Sequence, residues 1–458
     1  MHRNISTKTC WHDVWHVSYT VNLFFIRALT ALIPVKRARR RLRDRWMAAA
    51  RARHLAKVIP VVRARYAAHE AECRAKLARG ERLRVAFLVC DASMFSAEPV
   101  FAKMRGDPRF DCFIAVVPRI TRGESFLRDT YAKTLDTLRP RYGDSVRALY
   151  DPDTKKCDGL DGRADVVFTS IVYTGQSFDS FNAEALSEYA LVAHIPYGYG
   201  GQLAADMRRF VFLPEMSLFW KTFVANGDAR TAWAQANPVL APSLVVAGYA
   251  KMDRLAEFTP EAGRKTVIVS PHHTLAKEDG GDGLALSNFL RFADFFLELP
   301  LRFPEIHFVF RPHPLLFPRL ATREWWGAEK TAAYRAKMEA LPNVEFQQGG
   351  DYFKTFAESS ALIHDCGSFV GEYTYTGKPQ CYMLRSESTL EREFTPLGRA
   401  ILDCNYPVYD EQGIENFIRS VVLGGDDPKA DARRRLADER VCMFHPCAAE
   451  RVVKEMFA

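Results

Sequence analysis

The chain has 458 residues, of which 48% are apolar and 26% charged, so it is too ordinary in composition for a disordered or polytopic membrane protein. Its length exceeds one compact core and leaves room for about two globular units plus extra material. The net charge of +8 sits at one end, because residues 1–80 hold 18 Lys/Arg against 4 Asp/Glu and the remainder is mildly acidic. That pattern excludes a basic track along the body for nucleic acid as polymer, and makes an anionic membrane surface the expected partner of the basic end.

In chain order, 14–34 is rich in apolar and aromatic residues, but His16, Asn22 and Arg27 interrupt it, which makes a poor membrane span. Residues 36–57 follow with ten Lys/Arg and one acid, Asp44. A helix of that charge fits peripheral attachment to the cytoplasmic, inner face of a cell membrane. After Gly80 the texture changes to short apolar runs at 83–89, 113–117, 165–168, 191–195 and 244–247. A second series runs through 266–270, 306–310, 344–346, 361–364 and 380–384. Between them 284–303 has helical spacing, with Phe289, Phe292, Phe296 and Leu299 on one face.

Continuous apolar strands separated by helices mark parallel sheets covered on both faces. The expected fold is therefore α/β, with two facing Rossmann-like doubly wound domains and an N-terminal basic helical arm. Its expected boundaries are 1–80 for the arm, 81–247 and 248–430 for the two domains, and 431–458 for a C-terminal helix. Ligands bind outside the carboxyl ends of such strands, so two facing domains enclose a cleft. His194, His272, His273, Arg311, His313 and Asp365 all follow strand-like runs. No GxGxxG follows the first strand and no GxxxxGK[ST] occurs, which disfavours a dinucleotide oxidoreductase and a P-loop NTPase. The ten cysteines include no CxxC pair, and neither HExxH nor a carboxylate at ligand spacing accompanies the histidines, so no metal and no cofactor is expected.

Four stretches, GYAKMD at 248–253, VSPHHT at 269–274, FRPHP at 310–314 and IHDCGSFVGEYTYTGKPQCYML at 363–384, resemble the CDP-glycerol glycerophosphotransferase family. This is the teichoic-acid and capsule polymerase type, and the resemblance implies GT-B architecture. It covers only the middle of the chain. In the first half the family's His-Gly-Thr element has AHIPYGYGGQ in its place, so His194 takes the position of the catalytic base while the Gly-Thr is absent.

An imidazole at the cleft floor, His194, suits a general base at neutral pH, with a core histidine as the alternative. Arg311 and His313 flank a proline that fixes their direction, and suit a leaving diphosphate, His313 as a catalytic group; an Arg-acid pair is the other reading for Arg311. Gly367 and Ser368 at a helix start suit phosphate oxygens. Asp365 would orient Ser368 or a histidine, or cap that helix. Glu372 is placed to accept ribose hydroxyls, as an acid does in many GT-B enzymes, unless it is a surface residue. Of His272 and His273 one is expected at the diphosphate, with His273 favoured.

The expected activity is transfer of a glycerol-phosphate or related polyol-phosphate unit from a CDP-linked donor to a hydroxyl of a polyol-phosphate, glycan or lipid-linked acceptor. A GT-B glycosyltransferase using a nucleotide sugar, and a non-catalytic membrane-docking scaffold, are the alternatives.

Overall fold

The computed structural model describes residues 21–31, 36–173, 175–259, 263–275 and 285–458. The ends of the apolar run at 14–34 lie outside them. No helix among the described residues is long and apolar enough to cross a membrane.

The first sheet has seven strands in the order β3-β2-β1-β4-β5-β6-β7, and every neighbouring pair is parallel. They are β1 (Leu83–Val89), β2 (Phe110–Val116), β3 (Val146–Ala148), β4 (Val166–Thr169), β5 (Leu191–His194), β6 (Lys221–Val224) and β7 (Leu244–Val246). The second sheet has six, in the order β10-β9-β8-β11-β12-β13, again all parallel. They are β8 (Thr266–Ser270), β9 (His307–Phe310), β10 (Val344–Phe346), β11 (Ala361–His364), β12 (Gln380–Met383) and β13 (Tyr406–Val408). All four residues of β4, β5, β11 and β12 are buried, which is why each reads as an apolar run with a single polar residue at one end. β3, β6 and β13 were not expected; they are short, and polar or half-buried residues interrupt them.

The chain order reverses between β1 and β4 in the first sheet and between β8 and β11 in the second. Each reversal opens a crevice at the carboxyl ends, because the connections on its two sides run to opposite faces. The lobes meet along those ends. Gln202 of the first lobe donates to the carbonyl of Gly367 at 3.0 Å, and Thr395 of the second donates its N–H to Gln202 at 3.0 Å.

The helix Lys36–Ala78 begins clear of this body and ends packed on it. Val58, Val62, Tyr66 and Cys73, spaced at one helical stripe, are buried in the first lobe's core. The Tyr66 hydroxyl donates to the Leu218 carbonyl at 2.7 Å, the Trp220 indole donates to Glu70 at 2.9 Å, and Lys76 pairs with Asp165 at 2.9 Å.

At the other end of the chain, the helix Ala448–Glu455 returns from the second lobe to the first, where Ala448, Val452 and Met456 join its core. The Asp253 carboxylate accepts the N–H groups of Ala448 and Ala449 at 3.2 and 2.7 Å, satisfying donors that a helix start leaves open. Gly248 has φ +83°, and any Cβ there would run into the Met443 carbonyl and Ala448. The GYAKMD stretch thus holds the returning C-terminus.

Candidate functional site

The reversal between β8 and β11 places 271–275 and 365–368 side by side, with 311–314 after β9 next to them. Asp365 organises this corner. It is fully buried and accepts the backbone N–H of His272 and of Asn288, both at 2.5 Å. Burial pushes its carboxyl up to about 7, against the lowering effect of those donors. Of the roles expected for Asp365, orientation of a histidine is the one with these bonds behind it.

Three imidazoles converge here. The ring centroids of His272 and His273 lie 4.4 Å apart, those of His272 and His313 5.0 Å, and those of His273 and His313 4.0 Å. Burial lowers all three pKa values, His272 well below its ordinary value, His273 to about 4 and His313 to about 3. Neighbouring cations add to this: the other imidazoles act on His272 and His313, and the guanidiniums of Arg319 and Arg122 act on His273. At neutral pH the trio is therefore uncharged beside two arginines, one from each lobe.

The hydrogen bonds decide what such a trio can hold. Nδ1 of His313 accepts the N–H of Leu315 at 3.1 Å, and Nδ1 of His272 accepts that of Thr274 at 3.3 Å while lying 2.8 Å from its hydroxyl. A neutral ring that accepts at Nδ1 carries its proton on Nε2. Nitrogen atoms of the three rings lie within 4.8 Å of one another, close enough to enclose a cation. Yet two of the three rings present N–H donors rather than lone pairs, and a metal needs lone pairs. Donors plus guanidiniums fit an oxyanion, above all a phosphate group.

The remaining candidates take other positions. The Arg311 guanidinium donates to Gln347 Oε1 and to the carbonyls of Gly349 and Gly350, each at 2.8 Å. Contact with a phosphate would require it to give up bonds that fold the 347–350 turn. Arg319 is the guanidinium of this lobe beside the trio, donating to the His273 carbonyl at 3.4 Å. Neither Arg319 nor Arg122 was singled out in the sequence, since neither stands in a motif with the histidines; their nearness is purely tertiary.

Glu372 is no surface residue. Only 1% exposed, it accepts from the Tyr249 and Tyr352 hydroxyls at 3.2 and 2.5 Å and from the Tyr199 N–H at 3.4 Å, with Lys251 at 3.7 Å. Ribose hydroxyls would have to displace those tyrosines. Gly367 and Ser368 open the six-residue helix Gly367–Glu372, on which residues 198–203 of the first lobe lie directly. A Cβ on Gly367 would strike Leu203, one on Gly371 would enter the Tyr199 ring, and one on Gly198 would sit 3.9 Å from Ser368 Cβ. The first lobe thus covers this helix start, and Ser368 stands at the seam.

His194 stands apart from the trio. It ends β5, one strand beyond the reversal of the first sheet, and is fully buried. Its Nδ1 donates to the Thr169 carbonyl at 3.0 Å, its ring stacks on Phe219 at 4.7 Å, and its Nε2 is enclosed without a partner. Burial lowers its pKa to about 3. As a base, His194 would need the aromatic cover over Nε2 to move aside.

No protein-family model matches the chain, and no curated protein matches it. Solved structures do. A variant of the wall teichoic acid polymerase TagF superimposes with a TM-score of 0.52 at 10% identity, over 85% of this chain and 96% of that one. A TagF variant soaked with CDPG gives 0.51 at 12% identity, over 81% and 87%. UDP-GlcNAc 2-epimerase from Neisseria meningitidis, bound to UDP-GlcNAc, gives 0.50 at 13%, over 81% and 98%. At such identities the likeness concerns the fold: two facing Rossmann-like lobes of GT-B type.

Proposed function

We propose that the protein is a transferase that moves a glycerol-phosphate or related polyol-phosphate unit from a CDP-linked donor to a hydroxyl of a surface glycan or lipid-linked acceptor. The observation that carries this reading is the trio of His272, His273 and His313, uncharged, with N–H donors on His272 and His313 and with Arg319 and Arg122 acting on His273, at the reversal of the second sheet. The four motif stretches and the GT-B fold shared with TagF support the choice of reaction.

In this mechanism the acceptor oxygen attacks the distal phosphorus of the donor, the bond from that phosphorus to the bridging oxygen breaks, and CMP departs with the electron pair. The imidazole N–H groups and guanidiniums stabilise the charge that grows on the bridging oxygen and the departing phosphate. Ser368, at the seam, is placed to donate to the same phosphates, and Arg311 shapes the neighbouring turn. The acceptor proton passes to His194 Nε2 once the lobes admit substrate. The acceptor's location puts the protein at the inner face of a cell membrane.

Glycosyl transfer from a nucleotide sugar is the second reading, favoured by the same cradle serving any nucleoside diphosphate. A donor panel with purified protein separates them. Release of CMP from CDP-glycerol supports the first, and turnover of a nucleotide sugar with none of CDP-glycerol rejects it. A non-catalytic scaffold would show no turnover of either donor and no loss of cellular function on His313→Ala.

A further inference from the structure

Residues 21–31 form a helix with one exposed apolar face, opposite the half-buried Leu23 and Ile26 and the buried Thr30. Val21 is 44% exposed, Phe24 69%, Phe25 56% and Leu29 55%. Positions 21, 24, 25 and 29 fall on one stripe of a helix, so the exposure is one continuous apolar face rather than scattered residues. The two phenylalanine rings touch edge to face at 6.2 Å, and Arg27 is exposed beside them.

The helix Lys36–Ala78 follows it in sequence, and Arg39 reaches back to the Ala31 carbonyl at 3.5 Å. Among its described side chains, none before Ala50 is buried. At 1.5 Å per residue the stretch 36–49 is about 20 Å long. Along it are Arg39, Arg41, Arg43 and Arg45, with Trp46 39% exposed among them and Asp44 the one acid.

We infer that residues 21–31 and 36–49 are a docking device for an anionic phospholipid surface: the 21–31 helix lies in the interface plane with Val21, Phe24, Phe25 and Leu29 among the acyl chains, and the arginine-rich start of the long helix lies along the headgroups. Charge complementarity selects the occupant. An apolar stripe followed in the chain by clustered arginines and a tryptophan fits a surface that is apolar below and anionic above. A nucleic acid would leave the stripe in water, and a second copy of the chain would bring the same positive charge. Eleven residues span about 16 Å as a helix, half of a bilayer core of about 30 Å, so the segment lies on the membrane rather than across it. The far end of the long helix is locked to the first lobe through Tyr66, Glu70 and Lys76, so docking fixes that lobe's orientation to the membrane. The inference rests on the membrane part of the proposed function and on none of its chemistry.

The test is flotation of the full chain with vesicles of phosphatidylglycerol and phosphatidylcholine, against phosphatidylcholine alone, with release of CMP from CDP-glycerol in the presence of a water-soluble acceptor measured in parallel. Binding is expected to the anionic vesicles, weaker at high salt. Joint substitution Phe24→Ser, Phe25→Ser and Leu29→Ser is expected to weaken it at least about tenfold, and Arg41→Glu with Arg43→Glu and Arg45→Glu to abolish it. Wild-type protein that ignores anionic vesicles overturns the inference. So do serine variants that bind as tightly as wild type, tighter binding to single-stranded RNA than to vesicles, and a dimer that the serine variants dissolve. Vesicle binding without CMP release would keep the inference and reject the transferase reading.

Discussion

His194 and the trio of His272, His273 and His313 each end or follow a strand of a parallel sheet, and each is neutral at ordinary pH because it is buried. They differ in what surrounds them. His194 lies one strand away from its sheet's reversal, under Phe219, with a single hydrogen bond. The trio lies at a reversal, where adjacent loops turn to opposite faces and three rings can meet two guanidiniums. A strand end becomes a binding site when the topology leaves a crevice there, not merely because a titratable residue occupies it.

The sharpest way to break this comparison is substitution on both sides. His313→Ala is expected to lower kcat about 100- to 1000-fold with the melting temperature nearly unchanged, since it removes a donor to the transition state and little packing. His194→Asn tests the base role: activity should fall at least about 100-fold with the fold intact. If His194→Asn lowers melting temperature while sparing kcat, His194 belongs to the core alone.

Asp365→Ala should be the largest stability change, about 3 kcal/mol in denaturant unfolding, because two buried N–H groups lose their acceptor. Arg319→Ala and Arg122→Ala are expected to raise the KM for donor about tenfold each. Equal KM values in all three proteins would remove the arginines from the anion site.

Two pH effects sharpen the contrast further. The folded pKa values of His194, His273 and His313, about 3, 4 and 3, lie below the unfolded value near 6.5. Between those limits the unfolded chain binds more protons at these histidines, so their contribution is full above about pH 6.5 and declines on acidification, while the Asp365 carboxyl, raised to about 7, works in the opposite sense. Thermal melts from pH 8 to 5 of the wild type and of His194→Phe separate the two: the variant should lose less stability on acidification, and equal slopes would contradict the histidine effect. A bound diphosphate should reverse the shift in the trio but not in His194. Calorimetry with pyrophosphate in two buffers of different ionisation enthalpy is therefore expected to report proton uptake, which Phe in place of His313 reduces and Phe in place of His194 leaves alone.

The two-sheet fold was legible because β1, β4, β5, β8, β11 and β12 are buried almost throughout and therefore mostly apolar, with polar residues such as Thr169, His194, His364 and Gln380 at their ends. The histidine trio was legible in part, since two motif stretches contain it. Its arginines were not, because Arg122 and His273 lie 151 positions apart in the numbering and meet through the packing of two lobes. Arg311 was read toward phosphate from its place after a strand, but the turn that claims its guanidinium lies some 36 to 39 residues further on. The burial of Glu372, which removes the surface alternative, is hidden in the sequence for the same reason: Tyr199, which helps bury it, comes from the opposite lobe.

The return of Ala448–Glu455 to the first lobe has a mechanical outcome. The chain crosses between lobes twice, once after β7 and again before Ala448, with Asp253 of the first crossing gripping the second. Two straps side by side act as a door hinge: they permit a swing about one axis and resist twisting or sliding. Admission of a donor would then be a one-dimensional gape, and cutting the last dozen residues would leave the lobes to drift.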